Sequence, residues 1–122
     1  MMDILKGATG GFAVLSGDDS LTLPLIAAGG VGIISVIANE IPKEFSQMVH
    51  AALDGDFDKS RKLHYEWLDL MNVNFIESNP IPVKTALAEM GLIKEVFRLP
   101  LTPMNPKNKE ALLEVLKKHK LV

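Results

Sequence analysis

Two short, unbroken apolar runs separated by a compact helix-like segment constrain this chain more than any other feature. Phe12 to Leu15 is apolar at every position and is closed by Ser16-Gly17-Asp18-Asp19, small and acidic residues suited to a turn and a helix start. Leu21 to Ala28 reads as an apolar helix stopped by Gly29-Gly30, and a second run, Ile33 to Ile37, lies between Gly32 and Ala38-Asn39. The spacing predicts strand, crossover helix, strand. Two strands joined in this way run parallel, and runs without polar alternation suit strands buried on both faces.

The remainder reads as helical. Met1 to Lys6 is short and mildly amphipathic, and Gly7-Ala-Thr-Gly-Gly11 loosens the chain before the first strand. That glycine cluster has no Gly-Lys-Ser/Thr and no helix directly after it, so it is read as a loop and not as a phosphate cradle. Pro42 suits the first turn of a helix in which Phe45, Met48, Val49, Ala52 and Leu53 recur at helical spacing up to Asp54-Gly55. A second helix from about Asp56 places Phe57, Leu63, Trp67, Leu68, Met71 and Phe75 on one broad face, expected to be core. Its mixed charges (Asp56, Asp58, Glu66, Lys59, Arg61, Lys62) read as solvated surface. Asn79 and Ile81 each precede a proline and are pushed out of the α region. Pro82 then opens a helix from Val83 to Met90 capped by Gly91. An extended connector, Phe97 to Pro103, leads to a last helix from about Pro106 to His119.

Composition narrows the function classes. The chain has 122 residues, nearly half of them apolar, enough for one core. A formal charge of -2 offers no basic field for nucleic acid, and no cysteine is present for a disulfide or thiolate metal site. No apolar run reaches the length of a membrane span, and Asp3 and Lys6 break any leader-like segment, so no membrane partner and a cytoplasmic location are expected.

Few residues recommend themselves for chemistry. Asp18 and Asp19 are adjacent, so on an extended chain they point apart, and one of them is expected to cap the following helix. His50, His64 and His119 lack metal-ligand spacing and read as surface residues, so no metal and no cofactor are expected. Ser16, Ser20 and Ser35 lack a nucleophile elbow. Lys84, inside a helix, is expected to bond locally or to a carboxylate.

Ser16-Gly17-Asp18-Asp19, the segment Gly29-Gly-Val-Gly-Ile-Ile-Ser-Val-Ile-Ala-Asn39 and Asn79-Pro-Ile-Pro-Val-Lys84 together resemble the carboxy-terminal half of the 4-hydroxy-tetrahydrodipicolinate synthase (dihydrodipicolinate synthase) family, from about Phe12 onward. The resemblance implies an α/β fold: the last two parallel strands of a (β/α)₈ barrel with their helices, within residues 1–55, and a helical extension over residues 56–122. Such a barrel needs about 250 residues, so six strands would lie outside this chain. The family's reaction implies a Schiff base between pyruvate and a lysine at the end of the sixth strand, followed by addition to aspartate semialdehyde in lysine biosynthesis. The lysine, a catalytic tyrosine and a threonine pair would all fall outside the chain, leaving no catalytic residue and an inactive piece. A partial pyruvate site would remain, made by the main chain at Ile34 with Ser35 and Gly17 beside it. N-acetylneuraminate lyase and 2-keto-3-deoxygluconate aldolases are sister alternatives that the motifs fit less well. From another class, a non-enzymatic assembly module is the rival. Two lone strands leave free edges, so self-association is expected, through those edges or the helix Leu21 to Ala28.

Overall fold

A computed structural model describes all of residues 1–122. Six α-helices, two very short strands and two 3₁₀ turns form two compact units, residues 1–67 and 68–122. No helix is long and apolar enough to cross a membrane.

The first unit opens with α1 (Met2–Gly7), followed by β1 (Leu15–Ser16), a 3₁₀ turn (Asp19–Leu21) and α2 (Thr22–Ala27). Then come β2 (Gly32–Ile33), a second 3₁₀ turn (Ile37–Asn39) and α3 (Pro42–Leu53). The two strands pair parallel, Leu15 with Gly32 and Ser16 with Ile33. Val31 N–H donates to the Val14 carbonyl and Ile34 N–H to the Ser16 carbonyl, each at 3.0 Å. The crossover works because α2 ends abruptly. Gly29 takes φ 107°, and a Cβ on Gly30 would lie 2.5 Å from Leu25 Cγ, so only glycine lets the chain turn back there.

The strands are shorter than the apolar runs predict. The second was expected to continue to Ile37, but Ile37–Asn39 is a 3₁₀ turn, because the amides of Val36 and Ile37 are bonded by a carboxylate instead of a strand neighbour. Nor are the apolar runs buried on both faces within this chain: Leu15 in β1 is 47% exposed, and Phe12 and Ile34 beside the strands are 71% and 73% exposed. Each strand has one neighbour only, and no second layer covers these side chains.

The core of this unit lies where α2 and the second 3₁₀ turn pack on α3, with Leu25, Ile37, Ile41, Phe45 and Met48 buried. Pro42 opens α3 as its spacing predicts, and Phe45, Met48 and Ala52 face inward, whereas Leu53 is exposed. α4 (Phe57–Val73) begins here, and the Ser60 hydroxyl donates to the Met48 carbonyl at 2.9 Å.

In the second unit, the end of α4 is followed by α5 (Ile81–Glu89) and α6 (Pro106–Lys118), which pack on each other. Leu70, Met71, Ala86, Leu112 and Leu116 are almost wholly buried. Phe75, expected on the core face of α4, lies beyond the end of that helix and is exposed. α5 starts at Ile81, one residue before Pro82.

Candidate functional site

The carboxyl ends of the two parallel strands meet at one edge of the first unit. Asp18 caps the turn after β1: its carboxylate accepts from Ser20 N–H at 2.9 Å, Leu21 N–H at 3.3 Å and the Ser20 hydroxyl at 2.8 Å. The Ser16 hydroxyl donates back to the Asp18 carbonyl at 2.7 Å. This is the capping role expected of one acidic residue of the pair.

Asp19 does something the sequence did not disclose. Its side chain crosses to the loop after β2 and accepts from the Ser35 hydroxyl at 2.6 Å, Ile37 N–H at 3.0 Å and Val36 N–H at 3.2 Å. Ser35 Oγ in turn accepts from Ala38 N–H at 3.0 Å. Asp19 is 1% exposed, and burial pushes its carboxyl above the ordinary aspartate range, against the opposing pull of its three donors. A carboxylate that satisfies two backbone amides and one hydroxyl fixes where the β2 loop sits relative to the β1 loop. The second residue of an Asp-Asp pair, left over once the first is taken as a cap, was the signal available in the sequence.

That tie locates the three predicted binding residues. Ile34 ends the ladder, its amide on the Ser16 carbonyl and its side chain exposed. Gly17 follows Ser16 directly, so Gly17 and Ile34 lie at the same end of the sheet. Ser35 is beside them, but its hydroxyl is already engaged by Asp19 and Ala38. A hollow of about 370 Å³ opens beside Gly17 and is walled by Val14, Leu15, Leu21 and Leu25, with Met1 and, from α1, Ile4. Ile34 and Ser35 do not line it.

The histidines correct the surface reading in two of three cases. His50 is exposed, but His64 is 8% exposed, with Nδ1 unpartnered, and burial lowers its pKa. His119 Nε2 lies 2.7 Å from Asp69 Oδ1. No three His, Asp or Glu side chains gather where they could hold a metal ion. Lys84 Nζ donates to the Val96 carbonyl and lies 4.8 Å from the Phe97 ring centre, so it bonds locally to a carbonyl and not to a carboxylate. No lysine lies on either strand or on the loops that follow them.

The sequence pattern of the dihydrodipicolinate synthetase family matches residues 1–119. The chain is 55% identical over 115 residues to the 4-hydroxy-tetrahydrodipicolinate synthase of Koribacter versatilis, covering 94% of this chain and 38% of that protein. Against the synthase of Methanocaldococcus jannaschii it is 58% identical over 104 residues, 85% of this chain and 36% of the relative. In structure it is similar to dihydrodipicolinate synthase from Aquifex aeolicus, with a TM-score of 0.94, 52% identity, and 98% of this chain against 41% of that one. The synthase from Thermotoga maritima gives 0.92 at 40% identity, covering 100% of this chain and 44% of the other. The chain therefore spans about two fifths of the length of the relatives it matches, in their carboxy-terminal portion. A family pattern that runs through nearly every residue, with structural likeness at high identity, leaves one assignment: this chain belongs to the dihydrodipicolinate synthetase family.

Proposed function

We propose that this chain is the carboxy-terminal part of a (β/α)₈ barrel and supplies one wall of a pyruvate site in a Schiff-base lyase that joins pyruvate to aspartate semialdehyde. In barrels of this kind the reacting groups gather at the carboxyl ends of the parallel strands. The observation that carries the reading is the placement of Gly17 and Ile34 together at that end, held by the Asp19 tie. The Ile34 main chain and Gly17 would border the keto acid, and Ser35 would hold the loop from behind, since its hydroxyl is engaged within the protein.

The chain brings no nucleophile of its own. A Schiff-base lysine must be neutral at working pH, which takes desolvation or a cationic neighbour. The lysine whose pKa is clearly displaced, Lys109, is moved the other way: its bonds to Glu89 at 2.7 Å and Glu95 at 3.1 Å raise it. Activity would then require the lysine from another part of the barrel. Self-association would use the outer side of α2 and its cap, where Leu21, Pro24 and Ala27 are exposed.

Incubation with pyruvate followed by borohydride tests the assignment, with intact-mass and peptide analysis as readout. No adduct is expected on the isolated chain. A reduced pyruvate adduct on any of its lysines would overturn the claim that the nucleophile lies elsewhere.

A further inference from the structure

We propose that the hollow between α2 and α4 binds a small aromatic carboxylate, with Arg61, Tyr65 and His64 taking the carboxylate and the ring lying on apolar residues of both helices. The site stands apart from the keto-acid reading, since none of its residues lies on the two strands or on the loops that follow them.

Pro24 and Ala27 of α2 face Phe57, Arg61, His64 and Tyr65 of α4 across a hollow of about 530 Å³. That volume suits a small organic ligand, and apolar walls around a few polar groups of different kinds are the usual make-up of such a site. The four α4 residues are spaced i, i+4, i+7 and i+8, one stripe of a helix. The sequence therefore sets an apolar ring, a cation, an imidazole and a phenol along a single face. Tyr65 is 66% exposed and the Arg61 side chain 54%, whereas His64 is 8% exposed.

These groups have bonding capacity left for a ligand. Nδ1 of His64 has no hydrogen-bond partner, which is uncommon for a buried polar atom. Arg61 Nη1 lies 2.9 Å from Asp58, but the Asp58 side chain is 93% exposed, and an ion pair so open to water contributes little and exchanges for another carboxylate. The His64 and Tyr65 rings meet edge to face, their centroids 5.5 Å apart at 68°, which sets the phenol beside the imidazole. A guanidinium takes a carboxylate through two parallel N–H bonds. Burial lowers the His64 pKa, so the hollow offers one full positive charge and matches a monoanion better than a phosphate dianion. Pro24 and Ala27 also lie on the face assigned above to self-association, so an occupied hollow and that contact exclude each other. If α2 makes no such contact, the hollow and its ligand are unaffected.

Benzoate is the test ligand, with benzamide as the uncharged control and acetate as the control without a ring, each titrated into the isotope-labelled chain and followed by amide spectra. Saturable shifts are expected at Ala27, Arg61 and Tyr65, with a Kd on the order of 1 mM for so small a ligand. Both controls should bind at least about tenfold more weakly. The His64 Nδ1 resonance, read in a long-range proton–nitrogen spectrum, should move on the same curve. Arg61→Gln should weaken benzoate at least about tenfold by removing the charge, and Tyr65→Phe about threefold by removing one hydrogen bond. Urea unfolding of both variants should match the parent, because both side chains are exposed. Four results overturn the proposal: shifts that do not saturate, benzamide binding as well as benzoate, a His64 signal that stays in place, or an Arg61→Gln chain that unfolds like the parent and binds benzoate as tightly.

Discussion

In residues 1–67 burial draws the shifted ionisable groups, Asp19 and His64, toward their neutral forms; in residues 68–122 partners hold Asp69 and Lys109 in their charged forms. For Asp69, burial alone would raise the pKa, but the bonds from Lys118 at 2.6 Å and His119 at 2.7 Å outweigh it and the net shift is downward. Both units expose apolar side chains, Leu92, Val96 and Leu99 among them in the second. The first unit leaves Ile4, Phe12, Leu15 and Ile34 exposed and pins its loops with a buried carboxylate. The second packs Leu70, Met71, Ala86, Leu112 and Leu116 together and holds its ion pairs at partly exposed positions. The first unit thus fixes the loops after its strands by directed bonds to main-chain amides and not by side-chain packing alone.

The contrast breaks most sharply at Leu112, which is fully buried. Leu112→Ala should destabilise the chain by about 2–5 kcal/mol, the range for a leucine cavity in a closed core, read from urea unfolding. A loss under about 1 kcal/mol would mean that packing does not hold the second unit. Next comes Asp19→Ala, which strands two amides and a hydroxyl and should cost about 2–3 kcal/mol. Hydrogen exchange at the amides of Val36 and Ile37 should quicken markedly in that variant. Unchanged exchange would show that the loop is held by something other than the carboxylate.

The smallest effects are in the pH response, where the groups separate by sign. His64 has a folded pKa below the ordinary 6.5, so its share of stability is complete above that value and is lost as pH falls through the folded one. Asp69, lowered from 3.8, contributes above that value and loses its share only as pH falls through its own folded pKa, in more acid solution. Urea midpoints against pH should therefore flatten just below 6.5 in His64→Gln and only below about 4 in Asp69→Asn. Because Lys118 is largely exposed, the Asp69 effect should stay within about 1 kcal/mol. Two variants that flatten the same part of the curve would erase the distinction between the units.

What could be read from the sequence follows the range of the interactions involved. Pro42, Phe45, Met48 and Ala52 define α3 by local period, and Asp18 announces a cap through contacts two and three residues away. The parallel strand pair was legible because two glycines must end the helix between the apolar runs. The ends of those runs were not, since Ile37 leaves the strand only because Asp19, 18 residues earlier, takes its amide. His64 misled for a similar reason: its helix is charged on one side, and burial of that position depends on packing that periodicity does not encode. For Ile34, Ser35 and Gly17, apolar or small residue types say nothing about a ligand, and it was the family likeness that singled them out.

The Asp19 bonds also bear on the order in which the molecule assembles. Their donors lie 16 to 18 residues downstream, so a short ring of chain closes when they form, at small entropic cost. Contacts of such low sequence separation form early relative to distant pairings. The tie needs nothing beyond Ile37, so the turn between the two strands can be fixed without waiting for α5 and α6.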